Sequence, residues 1–200
     1  MKKFLASALM LLAASTATFA QHAVGSFTLQ PKVGVNVASL TKSDNYDSRI
    51  GLAAGLEGEY QVSDIFSLSF GAIYSQQGNK IDKTLYGQNF KYTNKLDYVN
   101  VPVMANVYVV PGLAVKLGVQ PGFNVNSKGK AVANTSVGSA DKTYELNAKS
   151  VDFSIPVGLS YEYRNVVLDA RYNWGLTKVW DDRDPKNSVF QFTLGYKFEL

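Results

Sequence analysis

Eight stretches of alternating apolar and polar residues, connections that alternate short and long, and a strand pattern running to the last residue predict one fold class. It is all-β: an eight-stranded antiparallel up-and-down transmembrane β-barrel. Side chains of a strand point to opposite faces in turn, so a period of two gives one apolar and one polar wall. A terminal strand as apolar as Ser188–Leu200, left bare, would pair with other chains. A closed barrel in a bilayer covers that face with lipid and pairs both backbone edges.

In the first segment Phe27, Leu29, Val33, Val35 and Val37 share a face opposite Lys32, Gly34 and Asn36. In the second, Ile50, Leu52, Leu56 and Tyr60 oppose Gly51, Gly55, Glu57 and Glu59. Phe66, Leu68, Phe70 and Tyr74 oppose Ser67, Ser69, Gly71 and Ser75 in the third, and Val99–Val109 repeats the pattern in the fourth. The fifth sets Leu113, Val115, Leu117 and Val119 against Lys116, Gly118 and Gln120. The sixth sets Phe153, Ile155, Val157 and Leu159 against Asp152, Ser154, Gly158 and Glu162. Val166, Leu168, Ala170, Tyr172 and Trp174 oppose Asp169, Arg171 and Asn173 in the seventh. In the eighth, Phe190, Phe192, Leu194, Tyr196, Phe198 and Leu200 oppose Gln191, Thr193, Gly195, Lys197 and Glu199. Each approaches the ~9–11 residues a tilted strand needs to cross a bilayer.

Tight turns are expected at 62–65, 110–112 and 164–165, and long polar loops at 41–49, 78–95, 127–150 and 177–187. Within the second long loop, residues near Gly87-Gln88-Asn89 suit the turn of a hairpin extending above the membrane. Pro31, Pro102, Pro121 and Pro156 fall inside segments and each removes a ladder donor, so bulges or missing rungs are expected there.

Residues 1–20 read as a secretory signal: Lys2 and Lys3, an apolar run from Phe4 to Ala14, and a small-residue site at Thr18-Phe19-Ala20. The barrel domain is then 21–200. Removing Lys2 and Lys3 from the 20 lysines and arginines leaves 18 against 16 acidic residues, net +2. Such a balance gives no footprint for nucleic acid. With no cysteine, disulfides and thiolate chemistry are excluded.

Periodicity does not say which wall faces out, because a secreted soluble lipid-binding barrel alternates in the same way. The apolar wall of all eight segments lacks Asp, Glu, Lys and Arg, as lipid contact requires. The polar wall carries Gly34, Gly55, Gly71, Gly118, Gly158 and Gly195, which weaken a solvent-facing strand but fit a crowded lumen. Aromatics sit near both ends of the segments: Tyr60, Tyr161, Tyr163 and Phe198 at one, Tyr74, Phe123, Trp174 and Phe190 at the other.

The chain resembles the small outer-membrane barrels of the PorT-like "porin family", related in architecture to OmpA- and OmpX-like barrels. The resemblance rests on Val33-Gly34-Val35-Asn36, on Leu96–Val103, on Gly118-Val119-Gln120-Pro121-Gly122 and on Gly195-Tyr196-Lys197-Phe198. It implies a location in the outer membrane of a Gram-negative cell.

The single histidine, His22, is expected to lie in a disordered terminus. With no cysteine either, the usual histidine-dependent nucleophiles cannot be built on the barrel, so no enzyme, cofactor or metal site is expected. The acidic run Asp181-Asp182-Arg183-Asp184 is read as a solvated loop rather than a Ca²⁺ site. Lys80, Lys83, Lys91 and Lys95, interspersed with Tyr86, Phe90 and Tyr92, are within reach of lipopolysaccharide phosphates. Outer-membrane lipids, lipopolysaccharide and an unidentified surface or secretion-assembly protein are the partners in view.

Counting from the short turns puts Lys32, Glu57, Glu59, Lys116, Glu162, Asp169, Lys197 and Glu199 in the turn-side half of the polar wall. Arg171 lies near the middle and Asp152 near the loop end. Four cations and five anions there predict an ion-pair network plugging the lumen, because buried charges persist only when paired. A structural or surface-interaction role follows, and a narrow solute pore is the alternative.

Overall fold

The computed structural model describes residues 22–41, 47–85, 88–135, 138–180 and 184–200. The leader 1–20, Tyr86, Gly87 and the run 181–183 lie outside the described residues. The strands are β1 (Phe27–Leu40), β2 (Asp47–Ser63), β3 (Phe66–Leu85), β4 (Gln88–Asn100), β5 (Val103–Val110) and β6 (Leu113–Thr135). They continue as β7 (Gly138–Glu145), β8 (Val151–Tyr163), β9 (Val166–Gly175), β10 (Asn187–Tyr196) and β11 (Phe198–Glu199).

Three pairs of segments share one stave each. β4 and β5 follow one another along β3 and β6, β7 and β8 along β6, and β10 and β11 along β1. The result is an eight-stave antiparallel ring, closed where β1 pairs with β10 from Lys32↔Gly195 to Leu40↔Asn187.

Prolines account for three of the interruptions. The β1–β10 ladder stops at Lys32↔Gly195 and resumes at Leu29↔Phe198, skipping the rung where Pro31 would have to donate. Pro102 separates β4 from β5, and there Val101 N–H donates to the Pro121 carbonyl at 2.8 Å. The β6–β8 ladder passes from Leu117↔Val157 to Gln120↔Ser154, omitting the rung at Pro156.

The apolar wall faces outward. Val33 is 54% and Leu168 60% exposed, whereas Arg171 on the opposite wall is 3% exposed. A soluble barrel with an apolar interior is therefore not the fold. Gly34 and Gly158 play a more specific part than making room for side chains. A Cβ at Gly34 would stand 1.9 Å from the Phe192 carbonyl oxygen, and one at Gly158 2.6 Å from that of Ala170. Their absent side chains let neighbouring staves close tightly around a narrow lumen.

Three turns meet expectation, at Asp64-Ile65, at Pro111-Gly112 and at Arg164-Asn165, whose φ values of 46° and 69° suit a two-residue hairpin. The third long connection departs from it. Instead of a loop over 127–150, β6 continues to Thr135 and β7 returns alongside it from Gly138. β4 also pairs with β6 as far as Asn89↔Asn134, so the two hairpins form one four-stranded paddle, β3-β4-β6-β7, above the mouth. Once β4 rises above the wall, its free edge templates β6, and local polarity no longer decides the strand.

Candidate functional site

The lumen contains two stacked charge layers. In the central one, Lys32 comes from β1, Glu57 from β2, Lys116 from β6, and Asp169 and Arg171 from β9, all on inward positions of their strands. Lys32 Nζ lies 2.9 Å from Glu57 and 3.8 Å from Asp169. Lys116 Nζ lies 2.7 Å from Glu57 and 3.2 Å from Asp169. Arg171 Nη2 lies 3.1 Å from Glu57 and 2.7 Å from Asp169. Every cation thus touches both carboxylates, and all five side chains are at most 3% exposed.

Below it, towards the short turns, Lys197 Nζ bridges Glu59 at 3.1 Å and Glu162 at 2.8 Å. Tyr108 and Ser67 hydroxyls donate to Glu59, Ser67 at 2.6 Å, and Asn106 donates to Ser67 at 3.0 Å. The sequence reading left Tyr108 unassigned, because it placed only charged residues in the lumen. Its place between Val107 and Val109 on alternating positions was the signal that it points inward.

Two residues lie elsewhere than expected. Glu199 is outside both layers: its side chain is 57% exposed at the rim, 3.9 Å from His22 Nδ1. The break opposite Pro31 leaves β11 as a two-residue stub at the wall's lower end, beyond the enclosed lumen. His22 is not a loose terminal residue. Its Nε2 lies 3.1 Å from Glu162 Oε1, with both side chains buried. The segment 22–26 leading into β1 is held by Gly25 N–H donating to Gln61 O at 2.8 Å and Gln61 N–H to Ser26 O at 3.0 Å.

The loop end carries different chemistry. Leu40, Leu96, Tyr98 and Val179 form a buried apolar cluster, flanked by Ala148 and Trp180. Beside it Asp152 accepts from the Thr177 hydroxyl and from Asn187 Nδ2 at 3.2 Å. On the other face of β4 from Leu96 and Tyr98, Asp97 accepts from Asn126 at 2.8 Å and lies 3.5 Å from Arg49. Between the two ends lie buried amides and hydroxyls, Asn36, Gln120, Ser154, Asn173 and Gln191 among them. Among the described residues no group of three His, Cys, Asp or Glu side chains could hold a metal ion. Asp184, the described acid of the fourth loop, is paired with Lys178 at 2.6 Å.

An outward apolar wall, aromatics near both of its ends and a charged interior define an integral outer-membrane β-barrel protein. The chain belongs to the outer membrane protein beta-barrel domain family, whose model matches residues 19–181, and it resides in the outer membrane. It is similar in fold to Ail, the attachment invasion locus protein of Yersinia pestis, solved in complex with the heparin analogue sucrose octasulfate. That likeness has 16% identity and a TM-score of 0.49, covering 88% of this chain and 100% of the other. Neisserial surface protein A is similar at 16% identity and a TM-score of 0.46, covering 86% of this chain and 97% of the other. The N-terminal β-barrel domain of Pseudomonas aeruginosa OprF is similar at 12% identity and a TM-score of 0.36, covering 88% and 100%. No curated protein sequence matches.

Proposed function

We propose that this protein is a closed, non-catalytic barrel of the PorT-like type. It anchors a surface-exposed β-sheet in the outer membrane, and its lumen is plugged by ion pairs rather than open to solutes. The observation that carries this reading is the central layer, where each of Lys32, Lys116 and Arg171 lies within 4 Å of both Glu57 and Asp169. Ions pulled from water into so narrow a space are stable only when mutually paired, and once paired they occupy the path a solute would take. The apolar cluster around Tyr98 is a second seal in series. The leader 1–20 is removed on export in this reading. The paddle meets outer-leaflet lipids, lipopolysaccharide and a surface or secretion-assembly protein.

Planar-bilayer recording of the purified protein tests the plug. The expected result is no stable conductance; steady, large open-channel steps would overturn it. A narrow pore is the second reading, favoured by the buried amides between the seals, whose Asn36 Oδ1, Asn173 Oδ1 and Gln191 Nε2 have no protein partner among the described residues and so suit water. Liposome swelling with small sugars separates the two.

A further inference from the structure

Two lysines stand side by side where the paddle leaves the barrel. Lys95 on β4 and Lys128 on β6 are direct cross-strand partners. Both point away from the mouth, since Asn94 and Leu96, their neighbours on β4, are buried on the other face. Like charges placed directly opposite one another destabilise a sheet. The next lysines along the same face are neutralised within the protein, Lys91 by Asp82 at 3.2 Å and Lys130 by Asp141 at 3.2 Å. Among the described residues no carboxylate lies within ion-pair distance of Lys95 or Lys128. Glu145, the register partner of Lys128 on β7, is exposed and forms no ion pair with it.

Their height fixes what they meet. Val125 is the last exposed apolar residue on β6 before Lys128, which follows three residues later. At ~3.3 Å per residue on a strand tilted by ~40°, Lys128 stands roughly 8 Å above the apolar border. A bilayer with a ~30 Å hydrocarbon core and a total thickness of ~40–45 Å has a headgroup layer of about 5–8 Å on each side. Both ammonium groups therefore sit at the level of the headgroups of the outer leaflet. Directly opposed Cβ atoms are ~5 Å apart, close enough for two lysine arms to flank one tetrahedral anion.

We propose that Lys95 and Lys128 form a clamp for a lipid headgroup phosphate of the outer leaflet, each donating to different oxygens of one group. This deepens the surface reading above and rests on the same membrane orientation. The anion resolves the like-charge pair, and the pair fixes the paddle's base to the membrane surface.

The test uses the full mature barrel refolded in neutral detergent, as wild type, K95Q/K128Q and K142Q. Lys142 is exposed on β7, on the opposite face from Lys128. Each is titrated with phosphorylated lipid A, with dephosphorylated lipid A and with inorganic phosphate, and followed by native mass spectrometry and the thermal unfolding midpoint. Phosphorylated lipid A is expected to bind wild type and K142Q alike and K95Q/K128Q at least tenfold more weakly, and dephosphorylated lipid A not to discriminate among the three. Without lipid, K95Q/K128Q is expected to unfold no earlier than wild type, because the substitutions relieve a repulsion. Equal binding by K95Q/K128Q, or a K142Q loss as large as that of the pair, would overturn the clamp. Protection by millimolar inorganic phosphate equal to that by lipid A would overturn the headgroup as its ligand. Bilayer recordings on the same preparations report on the plug alone, so the two readings fail separately.

Discussion

Arg171 Nη2 stands 3.1 Å from Glu57 Oε2, joining side chains 114 residues apart across the lumen. The same guanidinium donates to both oxygens of Asp169, at 2.7 Å each, so its planar fork is used in full. Such a bond fixes the relative height of β2 and β9, which the backbone ladders set only through the intervening staves.

Arg171→Met is expected to be strongly destabilising. It leaves Glu57 and Asp169 buried with one cation fewer, and breaking a buried pair in this way costs about 3–5 kcal/mol. Urea unfolding of the barrel in lipid vesicles checks this. Lys178→Gln, which removes an exposed pair with Asp184, is expected to leave the midpoint where it is.

In the proposed closed barrel the two layers act in series, so conductance is a combined phenotype. Glu57→Ala with Arg171→Ala opens the central layer but leaves the cluster of Leu40, Leu96, Tyr98 and Val179 in place. Leu96→Ala with Tyr98→Ala does the converse. Neither pair alone is expected to conduct, and the fourfold variant is expected to show steps in planar bilayers. Conductance in either pair alone refutes the series arrangement.

Orientation has its own test. Phe192 faces outward in mid-strand, opposite Val35 on β1 and Ala170 on β9. Phe192→Arg is expected to cost roughly 2–4 kcal/mol of folding free energy in lipid vesicles, as for a cation near the bilayer midplane. The loss should shrink in short-chain detergent, where arginine reaches water.

The closing seam depends on Gly34. A methyl group there collides with the Phe192 carbonyl, an atom of the backbone that cannot swing aside. Gly34→Ala is expected to lose about 1–3 kcal/mol, the range for overpacked sites, read as a lower temperature for the gel-mobility shift of the folded band.

His22, the single histidine, offers a direct spectroscopic readout. Glu162→Gln should move its single imidazole signal in an NMR spectrum, because the 3.1 Å contact with a full carboxylate is gone. Glu145→Gln, on the paddle, should leave that signal in place.

Much of this was legible in the chain. Period-two alternation locates all eight staves because lipid imposes it on every crossing. The same parity puts Lys32, Glu57, Lys116, Asp169 and Arg171 on one wall, and their distance from the short turns puts them at similar heights. Which cation meets which carboxylate was not legible, since that depends on the stagger between staves that never touch. Above the membrane the guide disappears: Lys128–Thr135 and Gly138–Glu145 have no lipid face to keep apolar, so they read as loop and fold as strand. Glu199 follows the parity of Lys197, but parity is silent on where the wall ends.

Two of the paddle's four strands are staves prolonged without interruption: β3 runs from Phe66 to Leu85 and β6 from Leu113 to Thr135. A pull on the tip along the membrane normal therefore loads many backbone hydrogen bonds at once in shear, instead of peeling them one by one. Whatever grips the tip is moored to the cell envelope through the stiffest direction a β-sheet possesses.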